Sequence, residues 1–112
     1  MKEETRRAIV FIATAKITGH DPTSVYSFHA RGYAHFTGNS ESAYDHKLHA
    51  HITGSGTSYY HHGNRAHIDL TVQGNKFSGY DYDSRSHFEG TVSGSSVQFY
   101  DFGEASHFNY SI

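Results

Sequence analysis

The sequence predicts an all-β protein: an antiparallel up-and-down meander of about ten to eleven short strands, rolled into a barrel-like sheet. A two-sheet β-sandwich is the alternative. Three observations carry this. From Thr23 onward apolar and polar residues alternate almost without interruption, the period-2 signature of half-buried strands. The C-terminal half contains a near-repeat of about twenty residues: Tyr80-Asp81-Tyr82 … His87-Phe88 recurs as Tyr100-Asp101-Phe102 … His107-Phe108, with a looser copy at Tyr60-His61-His62 … His67-Ile68. Composition agrees: nine Tyr, eight Phe and eleven Gly against one Pro among 112 residues suit a small β protein.

The chain is long enough for a single domain, residues 1–112, and short for two cores. Met1–Thr5 is polar and is expected to fray. The segment over about 7–18 is nearly continuously apolar and rich in Ile, Val, Thr and Ala. It reads as a buried N-terminal strand, with an amphipathic helix as the alternative. Its apolar run is far too short to span a membrane as a helix. Arg6 and Arg7 before it and Ala13-Thr14-Ala15 at its end resemble a signal sequence, but Glu3 and Glu4 sit where a basic leader belongs. A cytoplasmic protein is therefore expected, with secretion as the alternative if that run acts as a signal. Gly19-His20-Asp21-Pro22 ends the element.

Hairpin loops then set a register. Two-residue turns pair Gln73 with Lys76 and Ser93 with Ser96. Four-residue loops at 83–86 and 103–106 pair Tyr82 with His87 and Phe102 with His107. Working backward, His62 pairs with His67, His49 with His62 through Ser55-Gly56, His46 with His49, His35 with His46, and Phe28 with His35. The result is one row of His and aromatic residues. Ile68, Leu70, Val72, Phe77, Phe88, Val92, Val97, Phe99 and Phe108 occupy the other face, the expected core. Gly79 and Gly90 lie side by side there, where a missing side chain lets a sheet bend or a second layer approach. Asp45, Asp81 and Asp101 also fall on the core face, beside loops, where each is expected to accept N–H bonds from its turn. This register is nearly level, whereas a closed barrel needs stagger.

Composition narrows function. A net charge of −2 with no run of either sign gives no nucleic-acid footprint and no membrane-surface patch. The absence of Cys excludes disulfides and thiol chemistry. No nucleophile motif, phosphate loop or paired-carboxylate motif is present, so the chain reads as a non-enzyme.

The expected function is a small binding module. It presents a Tyr/His-rich face, with Tyr44, Tyr60, Tyr80, Tyr82, Tyr100, Phe102, Asp69, Glu89 and Asn109, to a small molecule, a carbohydrate or a protein surface. Flat rings beside carboxyl and amide groups suit sugars. The alternative is a transition-metal protein in which His46, His49 and His62, flanked by His35 and His67, bind Zn, Ni or Cu through opposed imidazoles. A self-assembling, homo-oligomeric protein is the second alternative.

Overall fold

The computed structural model describes residues 1–112. One helix, α1 (Glu3–Thr18), precedes ten strands: β1 (Ser24–Ser27), β2 (Gly32–Gly38), β3 (Ser42–Asp45), β4 (Ala50–Ser55), β5 (Ser58–His61), β6 (Ala66–Gln73), β7 (Lys76–Asp81), β8 (Ser86–Ser93), β9 (Ser96–Asp101) and β10 (Ser106–Ser111). Each strand pairs antiparallel with the next, and β10 pairs with β1. The sheet is therefore a closed up-and-down barrel, as the alternation and repeats predict, and the sandwich does not form.

The N-terminal segment is the main correction. It is a helix rather than the strand expected over about 7–18, and Thr5, expected to fray, is buried. Glu3 and Glu4 lie in its first turn and Lys16 in its last, both favourable to the helix dipole. Gly19 closes it in the left-handed conformation, donating its N–H to the Ala15 carbonyl. All eleven residues from Thr5 to Ala15 are buried. A helix buried on every side has no solvent-facing polar stripe to reveal its period, and it must lie inside something. It threads the barrel. Phe11 stacks on Phe36 of β2 at 4.8 Å, Arg7 reaches Asp45 of β3, Arg6 reaches Asp101 of β9, and Lys16 reaches Tyr59 of β5.

The dimensions fit. Ten tilted strands about 4.8 Å apart close a ring roughly 20 Å across. A helix with its side chains needs about 10–12 Å, and inward side chains of the wall fill the rest. The expected core face, Ile68, Leu70, Phe77, Phe88, Val92, Val97, Phe99 and Phe108, points inward and joins Ile9–Ala13 in one cluster of 21 buried residues. Where the wall must thin, it carries glycine. Gly90 lies between Phe77 and Phe99 across the sheet, and a Cβ there would collide with the Phe77 ring and the Gln98 carbonyl.

The two ends of the barrel use different loops. At one end, Gly56-Thr57, Gly74-Asn75 and Gly94-Ser95 are two-residue turns, each with the glycine alone at positive φ. That is the hairpin turn whose first central residue favours Gly. At the other end five four-residue loops, 28–31, 46–49, 62–65, 82–85 and 102–105, each finish on a non-glycine residue at positive φ: Arg31, His49, Arg65, Arg85 and Ala105. The residue before each loop is polar, faces inward and is buried: Ser27, Asp45, His61, Asp81 and Asp101. Each caps its own loop. Asp45 Oδ1 accepts from the N–H groups of Lys47 and Leu48. Asp81 accepts from Asp83 and Ser84, and Asp101 Oδ1 from Gly103 and Glu104. Ser27 Oγ accepts from Ala30, and His61 Nδ1 from Asn64. The carboxylates do what the sequence predicts for them.

The same ring also anchors the helix. Arg7 Nε donates to Asp45 Oδ2 at 2.7 Å. Arg6 bonds Asp101 Oδ2 at 3.3 Å and Tyr110 Oη at 3.2 Å, and lies 3.7 Å over the Phe108 ring. Ser27 Oγ donates to Glu3, and Asn64 to Thr5 Oγ1. Burial of Arg6 works against its charge, but Tyr110, Glu3 and Asp101 outweigh it and raise its pKa. Burial, then Glu3, raises that of the Tyr110 phenol.

The expected register keeps every face correct and misplaces several pairs by an even number of residues. Tyr80, not Tyr82, faces His87. Tyr100, not Phe102, faces His107. Tyr60, not His62, faces His67, and Ser24, not Phe28, faces His35. The loops at 62–65, 82–85 and 102–105 begin one residue earlier than expected, and the turn after β4 begins one residue later. These slips all run in one direction around the ring, and they supply the stagger that closure requires.

Two outcomes test this account. Phe11→Ala opens a cavity at the centre of the barrel and is expected to lower stability by about 3–5 kcal/mol, read by chemical denaturation. His61 is 1 % exposed. Its Nε2 is buried without a hydrogen-bond partner. Burial lowers its pKa below the ordinary value of 6.5, opposed by Glu4 and Asp45 and assisted by Arg7. The unfolded chain therefore takes up this proton first as pH falls through about 6.5, and stability falls with it. His61→Asn keeps an acceptor for Asn64 N–H, and its melting temperature is expected to be less pH-dependent than that of the parent between neutral and mildly acidic buffer.

Candidate functional site: the outer aromatic belt

The interior is filled by α1, so the Tyr/His face is the outer wall. Each of the five hairpins places one tyrosine there, flanked by a ring two residues on and a ring on the next strand. The sets are Tyr26 with Phe28 and Tyr33, Tyr44 with His46 and His51, Tyr60 with His62 and His67, Tyr80 with Tyr82 and His87, and Tyr100 with Phe102 and His107. Centroids are 4.6 Å (Tyr44–His51) to 5.0 Å (Tyr26–Phe28) apart. The rings meet at tilted or edge-to-face angles, the geometry aromatic quadrupoles favour. The near-repeat seen in the sequence is this unit. Its first two copies, Tyr26 with Phe28 and Tyr33 and Tyr44 with His46 and His51, are not among the three that the sequence repeat shows.

The belt is not uniform. Three shallow depressions lie on one side of it. The first crosses β6–β10 and is lined by Thr71, Gln73, Lys76, Ser78, Glu89, Thr91, Gln98, Tyr100, Phe102 and His107, with Phe77 and Gly90 at its floor. The second joins Asp69, Tyr80, His87, Glu89 and Phe102 over Gly79. The third joins Ser58, Arg65, His67, Asp69 and Tyr82. The first two sit where the core glycines thin the wall, so a packing need inside leaves a dent outside. Tyr82 Oη donates to Asp69 Oδ2 at 2.8 Å; that bond, then the Asp69 charge, raises the pKa of its phenol.

Of the residues expected to bind ligand, Tyr80, Tyr82, Tyr100, Phe102, Asp69 and Glu89 line these depressions. Tyr44 and Tyr60 centre other sets of the belt. Asn109 is exposed on β10 opposite Gln98 but lines none of the three. Sequence reasoning missed His87, His107 and Arg65 as members of the depressions.

The metal cluster does not assemble. No three His, Asp or Glu side chains converge to hold an ion. The reason is register: the turn is Gly56-Thr57 and pairs Ser55 with Ser58, so His62 lies beside His51 instead of His49. His49 stays in its loop at φ 59. His35 and His46 are neighbours as expected, but Tyr44 packs against both His46 and His51, between the two histidine pairs. The imidazoles of His46 and His62 bond Thr37 at 3.0 Å and Thr53 at 2.8 Å, and His67 packs on Tyr60.

No family model, curated protein or solved structure matches this chain. The site must be read from its own chemistry.

Proposed function

We propose that the protein is a non-enzymatic carbohydrate-binding module, whose ligand lies along the outer wall over β6–β10. The observation that carries this is the first depression. Tyr100 and Phe102 offer apolar ring surface beside Glu89, Gln98, Thr71 and Thr91, which can donate to and accept from hydroxyl groups. Sugars present the same mixture, an apolar C–H face and a hydroxyl edge, and aromatic side chains recognise the first while carboxyl and amide groups orient the second. The depression is open, which favours an extended oligosaccharide over a small molecule, since small-ligand sites bury most of their ligand.

Self-association is the second reading. Phe28 is 57 % exposed and Tyr33 63 %; they lie on β1, its loop and β2, beside β10 and outside the three depressions. Such rings are common at interfaces between copies, and native mass spectrometry distinguishes a dimer from a monomer.

The test of the leading reading is an NMR titration with neutral hexasaccharides such as cellohexaose and xylohexaose. Shifts are expected on β6–β10, centred on Glu89 and Tyr100. Tyr100→Ala is expected to weaken binding at least tenfold, about 1.4 kcal/mol or more, with little change in melting temperature. Absence of binding to neutral and charged oligosaccharides alike overturns the proposal.

A further inference from the structure

We infer that the loop end of the barrel is a cationic rim that selects an acidic oligosaccharide, one bearing carboxylate or sulfate groups; this rests on the carbohydrate reading. Charge is the first observation. Of the nine Lys and Arg residues, Arg6 and Arg7 are buried in ion pairs, Lys2 pairs with Asp83, and Lys16 is held by Gly56 and Tyr59. Lys76 is also exposed and unpaired, but lies at the opposite end, where it lines the first depression. The remaining four, Arg31, Lys47, Arg65 and Arg85, are exposed, make no ion pair, and all sit in the four-residue loops. The two acids of those loops that reach the surface are already engaged, Asp83 by Lys2 and Glu104 by the Met1 amino group. A chain of net charge −2 thus gathers four of its five exposed, unpaired side-chain cations at one rim.

Backbone conformation is the second, independent observation. Arg31, Arg65 and Arg85 hold φ of 57°, 55° and 57°, a left-handed region that disfavours side chains and that glycine adopts freely. The same position in three separate loops carries arginine where glycine would relieve strain. His49 and Ala105 hold the same conformation in the other two loops, so loop geometry sets it, and arginine fills three of the five positions.

Position names the ligand. Arg65 lines one depression with His67, Asp69 and Tyr82, so it borders the outer aromatic wall. A planar guanidinium pairs bidentately with carboxylate or sulfate, while the adjoining rings take the sugar face. A flat lipid surface would engage the barrel end and leave that wall free.

The experiment compares cellohexaose with its sulfated derivative against the parent protein and the triple variant Arg31→Gly, Arg65→Gly, Arg85→Gly. Glycine suits this φ, so the variant is expected to melt at or above the parent temperature and to remain folded. The sulfated sugar is expected to bind the parent at least tenfold more tightly than the neutral one, in a salt-sensitive manner, and the variant is expected to lose that advantage. Equal affinity for both sugars, or a preference that survives in the variant, overturns the inference while leaving the carbohydrate reading intact. Failure of both sugars to bind overturns both. Arginine-dependent binding to vesicles of anionic phospholipid, without sugar binding, assigns the rim to a membrane and also overturns it.

Discussion

The burial of α1 inside the barrel is the constraint on which everything else depends. Ten strands enclose a space too wide for their own inward side chains and about right for a helix. The helix in turn has no polar side to show to water. Neither part is complete alone. Burying Ile9, Val10, Phe11 and Ile12 contributes about 1.5–3 kcal/mol each, a large share of the stability of a domain this size. Filling the interior also decides where function can lie. The outer wall is what remains for a ligand.

The ring of Ser27, Asp45, His61, Asp81 and Asp101 joins these two halves. Its members close the loops through backbone N–H bonds, and several of them hold the first turns of the helix. Two arginines inside a barrel would be prohibitively expensive without partners. Here the carboxylates needed for capping also neutralise them. Breaking such a buried pair costs far more than the pair itself is worth, so loop geometry and helix position are tied to each other.

Most of the barrel was legible because period-2 alternation survives register errors. A slip of two residues moves Tyr82 away from His87 yet leaves both outside, so the core face was correct while several of the pairs were not. Stagger was illegible for the same reason, since it lives in those even slips. The helix was hidden by its own burial: an all-apolar run carries no 3.6-residue period. Its signals were present in other forms. Glu3 and Glu4 ahead of the run, Lys16 near its end and Gly19 with Pro22 after it follow the order of helix start and stop signals. Arg6 and Arg7 had natural partners in the lone carboxylates on the core face. Within the candidate site, the aromatic unit was visible as a repeat. The histidine cluster failed on one turn, Gly56-Thr57 in place of Ser55-Gly56.

Native-state hydrogen exchange tests the central claim most directly, because it reports the helix and the barrel separately in the intact protein. If α1 is the core of the barrel, the amides of Ile9 to Ala13 should exchange only through global unfolding, with the same free energy as those of β6 to β9. Helix amides that exchange by a low-energy local opening while the strands stay protected would contradict it, and would show a barrel that stands without its central helix.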